Sequence, residues 1–125
     1  MTQEQKDLLI KDLCARLPYG VKVRYSSYEK FITCTLHAIN PVYHIVDLWS
    51  KNGCFNPVDT SKIKPYLFPL SSMTEEQLLE LSSISFENSI DSSIKTLNWY
   101  YKNHFDINGL IPMDLANDAT GLNIY

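Results

Sequence analysis

The chain has 125 residues, of which 45% are hydrophobic, and 11 Lys and Arg against 14 Asp and Glu give a net charge of −3. At this length about two thirds of the surface leaves water on folding, so one real core forms without a disulfide or metal staple. The ordinary apolar fraction and small charge exclude a disordered chain, and 4 Gly with 6 Pro exclude collagen-like and Pro/Gly-rich classes.

Thr2 followed by Gln5 forms a capping box, and Leu9, Leu13 and Leu17 with Leu8, Ile10 and Cys14 make a helical apolar stripe. The pattern predicts a helix over 3–17, stopped by Pro18-Tyr19-Gly20. Val21, Val23 and Tyr25 then alternate with Lys22 and Arg24, the period of a strand with one wet face, and 26–30 reads as a loop. Residues 31–39 and 42–49 are rich in β-branched and aromatic residues and flank Asn40-Pro41, which predicts an antiparallel hairpin. Either register of a tight turn there puts His37 and His44 on one face with Phe31, Ile39, Val42, Val46 and Leu48. Ile32, Cys34, Leu36, Ala38, Tyr43, Ile45 and Trp49 occupy the other face. With both faces apolar, the sheet is expected to be covered on two sides or curled into a small barrel.

Residues 51–57 read as a turn-rich loop, and 63–69 as a proline-limited edge segment that cannot be a central strand. Ser72 with Glu75 forms a second capping box ahead of a short helix over 74–82. A last helix starts at Asn88 or Ser89 and runs to about Asn103, with Ile90, Ile94, Leu97 and Tyr101 as its expected buried face. Asp106-Ile107-Asn108-Gly109 signals a turn, 110–113 an apolar return to the body, and 117–125 a tail. The expected fold is α+β in a single domain over 1–125. It has an N-terminal helix, a small antiparallel sheet of three or four strands that can close like an SH3-type barrel, then two C-terminal helices.

The first residues, Thr2 to Asp7, carry neither the basic nor the apolar region of a secretory signal, so a cytoplasmic location is expected. No apolar run approaches the roughly 18 residues that span a bilayer, so no membrane role is expected. Three cysteines, Cys14, Cys34 and Cys54, cannot pair as a set and suit a reducing compartment. His37 and His44 are too few for a metal centre, and Cys54 has no activating neighbour in sequence. Asp106 and Asn108 fail as a calcium loop because its fifth and twelfth positions are Leu110 and Asn117. Without a nucleophile elbow or a phosphate-binding glycine cluster, no catalytic residue and no cofactor is assigned, and the chain is not expected to be an enzyme.

Two surfaces remain candidates for binding. Trp99 lies nine residues from Ile90, half a turn away from the apolar stripe at 100° per residue, beside Lys95 and Lys102. That makes Trp99, Lys95 and Lys102 a candidate partner contact, although the size of Trp favours burial under another part of the chain. His104, near the helix end, suits the helix dipole. Lys22, Arg24 and Lys30 beside Tyr25 and Tyr28 interleave basic and aromatic residues as nucleic-acid surfaces do, yet a pI near 5.5 opposes a general polyanion binder.

Asp12-Leu13-Cys14-Ala15-Arg16-Leu17-Pro18-Tyr19-Gly20-Val21, the run from Ile63 to Thr74 (IKPYLFPLSSMT), and His104-Phe105-Asp106 with Gly109-Leu110-Ile111 complete the reading. Together they resemble a family of small uncharacterised proteins encoded by phages, prophages and other mobile elements of anaerobic gut bacteria. The resemblance runs the length of the chain in order and implies no activity, cofactor or catalytic residue. The leading expectation is a non-enzymatic accessory module that binds a host or phage protein. The alternative is a small β-barrel that binds nucleic acid, and the third is an enzyme whose site converges only in three dimensions.

Overall fold

A computed structural model describes residues 1–28, 30–85 and 89–125. Helix α1 (Gln3–Arg16) begins at the expected capping box: the Gln5 N–H donates to Thr2 Oγ1 at 3.1 Å and the Thr2 N–H to Gln5 Oε1 at 3.0 Å. These bonds satisfy donors that a helix start otherwise leaves open. Leu9, Ile10 and Leu13 form its buried face. The chain then tightens into a 3₁₀ turn, Leu17–Tyr19, which ends at Gly20 with φ +67°, a left-handed conformation that glycine takes without steric cost.

Strands β1 (Lys22–Ser27), β2 (Lys30–Asn40), β3 (Ile45–Ser50) and β4 (Gly53–Asp59) follow as an antiparallel meander. A 3₁₀ turn, Thr60–Lys62, leads into β5 (Ile63–Leu67), which returns to pair antiparallel with β1, and β6 (Asn117–Asp118) pairs parallel with β5. The order is β4-β3-β2-β1-β5-β6. The α+β class holds, with six strands in place of three or four. β4 occupies the segment read as a turn-rich loop, and β6 the segment read as a tail. β5 is flanked on both sides, contrary to an edge position. It tolerates Pro65, which has no N–H to donate, because the β6 ladder covers only Tyr66 and Leu67.

The β2–β3 hairpin departs from both expected registers. Asn40 Oδ1 accepts from the N–H groups of Val42 and Tyr43, at 3.1 and 3.3 Å, and this side-chain turn takes four residues, 41–44, out of the ladder. His44 therefore sits in the turn at φ +52°, with Nε2 3.7 Å from Asp7 Oδ1, and shares no strand face with His37. Ala38 pairs with Asp47 and Leu36 with Leu48, so His37 is the extra residue of a β-bulge. A second shift places Asn56 and Pro57 between the Leu48–Phe55 and Val46–Val58 pairs. Because of the bulge, Leu36 and Ile39 both reach the core despite their odd separation.

Leu9 and Leu13 of α1, Val21, Val23, Cys34, Leu36, Val46, Leu48, Val58, Ile63 and Leu67 of the sheet, and Leu110 and Leu115 of the C-terminal return make one core. All the sheet residues in this set point to one side. The other side is largely open to water, and among the described residues no helix covers it as a second apolar layer; Thr33, Thr35 and His37 alternate there against buried Cys34 and Leu36.

Helices α2 (Glu75–Ser85) and α3 (Ile90–Lys102) pack on each other. The box that opens α2 is Thr74 with Gln77, reciprocally bonded at 3.2 and 2.9 Å, two residues later than Ser72 with Glu75. Ser89 caps α3 by accepting from the Ser92 N–H at 3.1 Å, whereas Asn88, the other expected start, lies outside the described residues. α3 is rotated by half a turn relative to expectation. Ser92 and Trp99 are buried while Ile90, Ile94 and Leu97 are exposed, and of the expected stripe only Tyr101 is covered. Hydrogen bonds explain the inversion: Ser92 Oγ donates to the Ile84 carbonyl at 3.2 Å and Trp99 Nε1 to Glu80 Oε1 at 3.0 Å, which ties the polar side of α3 to α2.

Candidate functional site

The outer sheet face is built by strand alternation. One row across the strands runs Lys22–Thr35–Trp49–Cys54, and the next pairs Lys64–Arg24–Thr33. Lys22 Nζ reaches Thr35 Oγ1 at 3.4 Å, and the Arg24 guanidinium lies 4.3 Å above the ring of Phe31. The bulge turns the His37 ring flat against Trp49, with centroids 3.6 Å apart and planes 16° apart. Trp49 is nonetheless 52% exposed. It lines an open groove of about 740 Å³ together with Lys22, Thr33, Thr35, Lys51, Asn52 and, from the C-terminal segment, Asn123 and Ile124, and His37 is not part of that lining. Lys64 is paired with Asp114 at 2.8 Å, which holds the Asp114 carboxyl below its ordinary range.

The five residues expected to contact nucleic acid do not converge. Lys22 and Arg24 lie on the outer face, but Tyr25 faces inward and packs edge-on against Phe55 at 5.1 Å. Tyr28 is fully exposed in the β1–β2 turn, at φ +53°, and Lys30 shares the inward parity of Ile32 at the exposed end of β2. Alternation sets His37 and Phe31 on one hairpin face and Trp49 on the other, with no binding role for any of them; the bulge at His37 instead brings its ring onto Trp49. Their signal was the alternation Thr33-Cys34-Thr35-Leu36, which sets the odd positions of β2 facing water.

On the helical pair, Trp99 is 5% exposed and stacked on Phe105 at 5.6 Å, so it cannot act as a surface anchor; burial, the alternative favoured by its size, is what occurs. Lys95 and Lys102 remain exposed beside it. The apolar surface lies instead on the opposite side of α3, where Ile90, Ile94 and Leu97 are 82%, 53% and 46% exposed. Leu78 and Leu79 of α2 are exposed as well.

The polar groups inside the fold are structural. Asp12 and Arg16 are both fully buried; Arg16 Nε donates to Asp12 Oδ2 at 2.7 Å and Nη2 to the Phe105 carbonyl, while Asn108 Nδ2 donates to Asp12 Oδ1 at 2.8 Å. The Asp106 carboxylate accepts the N–H groups of Leu110 and Ile111, both at 2.9 Å, and so forms the turn its sequence signals. His104, at φ +63°, stacks on Tyr125 at 3.7 Å. Burial first, then the charges of Arg16 and Lys22, lower its pKa to about 4, so near neutrality it is an uncharged ring and not the dipole-matching cation expected. The Tyr125 hydroxyl is pushed up to about 12 by burial; part of its ring stays in water, but the hydroxyl end is inserted against β1 and β5. Among the described residues no three His, Cys, Asp or Glu side chains gather as a metal site would need, and no helix is long and apolar enough to cross a membrane.

The chain matches no protein-family model, no curated protein and no solved structure.

Proposed function

We propose that the protein is a non-enzymatic binding module that works stoichiometrically on a host or phage protein in the cytoplasm, using the exposed side of α3. The observation that carries this reading is the stripe Ile90, Ile94 and Leu97, at offsets 0, 4 and 7, left in water by a helix that is tied to α2 through Ser92 and Trp99 on its other side. Three β-branched or γ-branched side chains on successive turns match the spacing by which a helix seats in an apolar groove of a partner. Monomeric proteins rarely leave such a run uncovered. Asp91, exposed in the first turn of α3 next to Ile90, adds a negative charge suited to a basic group on the partner. The end-to-end resemblance to mobile-element proteins supports the choice of a host or phage target.

The sheet in this reading is the scaffold, and it curls like an SH3-type half-barrel. Support comes from β5 returning to β1 through a 3₁₀ turn and from the two bulges, which sharpen local twist.

Affinity purification from the native host with mass spectrometry tests the function. The expected result is one protein recovered by the wild type and lost with Ile94→Glu/Leu97→Glu, a variant whose melting temperature stays at the wild-type value. Recovery of the same protein by the variant, or no enrichment by the wild type, would overturn it.

A further inference from the structure

We propose that the outer face of the sheet binds single-stranded nucleic acid, with a base stacked on the open side of Trp49 and phosphates held by Lys22, Arg24 and Lys51. This surface is separate from α3 and does not rest on the reading above. The first support is geometric. The indole is pre-set: His37 covers one of its faces at 3.6 Å and the β3 backbone fixes its root, so the groove-side face is presented with little rotamer freedom left to lose.

The second support is charge. Although the chain carries a net charge of −3, this face gathers Lys22, Arg24, Lys51 and Lys64 against Asp47, and among the described residues only Lys64 of the four is held in a salt bridge, with Asp114. Lys22 and Lys51 both line the groove beside Trp49, and Arg24 lies one strand row further along on Phe31. Cations placed beside and beyond a flat ring match the alternation of base and phosphate along a strand. The hydroxyls of Thr33 and Thr35 and the amide of Asn52 add donors and acceptors between them.

The third support is the kind of strand the ring suits. A duplex keeps the faces of its bases stacked on one another, so an exposed stacking ring gains a partner only from an unpaired base. Asn123 and Ile124 of the C-terminal segment complete the lining of the groove beside Trp49 and Lys51.

Fluorescence-anisotropy titration of the whole chain with labelled single strands of about 12 nucleotides, oligo(dT) and oligo(U), and with a matching duplex, tests the proposal at about 20 to 200 mM salt. Both single strands should bind and weaken as salt rises, with the duplex weaker at every salt concentration. Trp49→Ala should weaken single-strand binding roughly 10- to 100-fold, the effect of losing one stacked base. Lys51→Gln should lower the log–log salt slope by about 0.7. Should Trp49→Ala fail to fold, Lys22→Gln/Lys51→Gln carries the same test with the ring in place. The proposal is overturned by the absence of salt-dependent binding, by duplex binding as tight as single-strand binding, or by a folded Trp49→Ala variant of wild-type affinity.

Discussion

Arg16 and Asp12 stand four residues apart on α1 and are buried together, where an isolated charge costs far more than a pair. Arg16→Met should therefore destabilise the protein by about 3–5 kcal/mol in urea unfolding, because it strands the Asp12 carboxylate and frees the Phe105 carbonyl. Asp12→Leu/Arg16→Met, which removes both charges, should recover much of that loss; equal losses for the two variants would show that packing and not charge sets the cost. His104 poses the opposite case, a titratable group kept neutral. Its pKa of about 4 lies below the ordinary histidine value of 6.5, so the folded state binds the proton less well than the unfolded one. Its contribution to stability is complete above pH 6.5 and is lost as pH falls toward 4. The melting temperature should drop across that window, and His104→Asn, a residue that accepts φ +63°, should flatten this part of the curve while carboxylates still govern lower pH.

At the scale of elements, α3 provides the sharpest contrast between expectation and fold. Ile94→Ser and Ile90→Ser, both in water, should shift stability by less than about 0.5 kcal/mol, whereas Trp99→Ala should cost about 3–5 kcal/mol. The reverse ranking in thermal melts would restore the expected face. Periodicity located the helix and Ser89 its start, but periodicity measures only which side is apolar, and here the hydrogen bonds of Ser92 and Trp99 to α2 decide which side is buried. α1 was legible because capping box, stripe and stop signal all agree; its Gly20 stop should cost about 1 kcal/mol as Gly20→Ala, since no neighbour lies where the Cβ would go and only the left-handed φ is penalised. The β2–β3 hairpin was half legible. Composition marked both strands, but Asn40 spent its side chain on the turn, and the His37 bulge reversed the parity beyond it. The same bulge created the Trp49–His37 stack, so the most distinctive feature of the outer face depended on the one step that alternation could not supply.

Over the whole molecule, local signals fail wherever long-range pairing makes the structure. β6 is two residues long and follows no strand pattern; it exists because Leu67 offers its carbonyl to the Ala119 N–H at 2.8 Å and β5 needs a neighbour. The segment past it is anchored at Tyr125, whose hydroxyl accepts from the Lys22 N–H at 2.9 Å and donates to the Tyr66 carbonyl at 2.8 Å. One side chain thus joins β1, β5 and, by stacking on His104, the exit of α3. Tyr125→Phe keeps the stack and removes both hydrogen bonds, so it should cost about 1 kcal/mol and speed amide exchange at Lys22. Deleting 117–125 should do more: it strips β6 from β5 and leaves Tyr66 and Leu67 with unpaired backbone groups at a sheet edge, a template for pairing with another chain. Concentration-dependent association in light scattering should accompany the lower melting temperature of the deletion, and a deletion that stays monomeric would show that the β5 edge is protected by something other than its C-terminal neighbour.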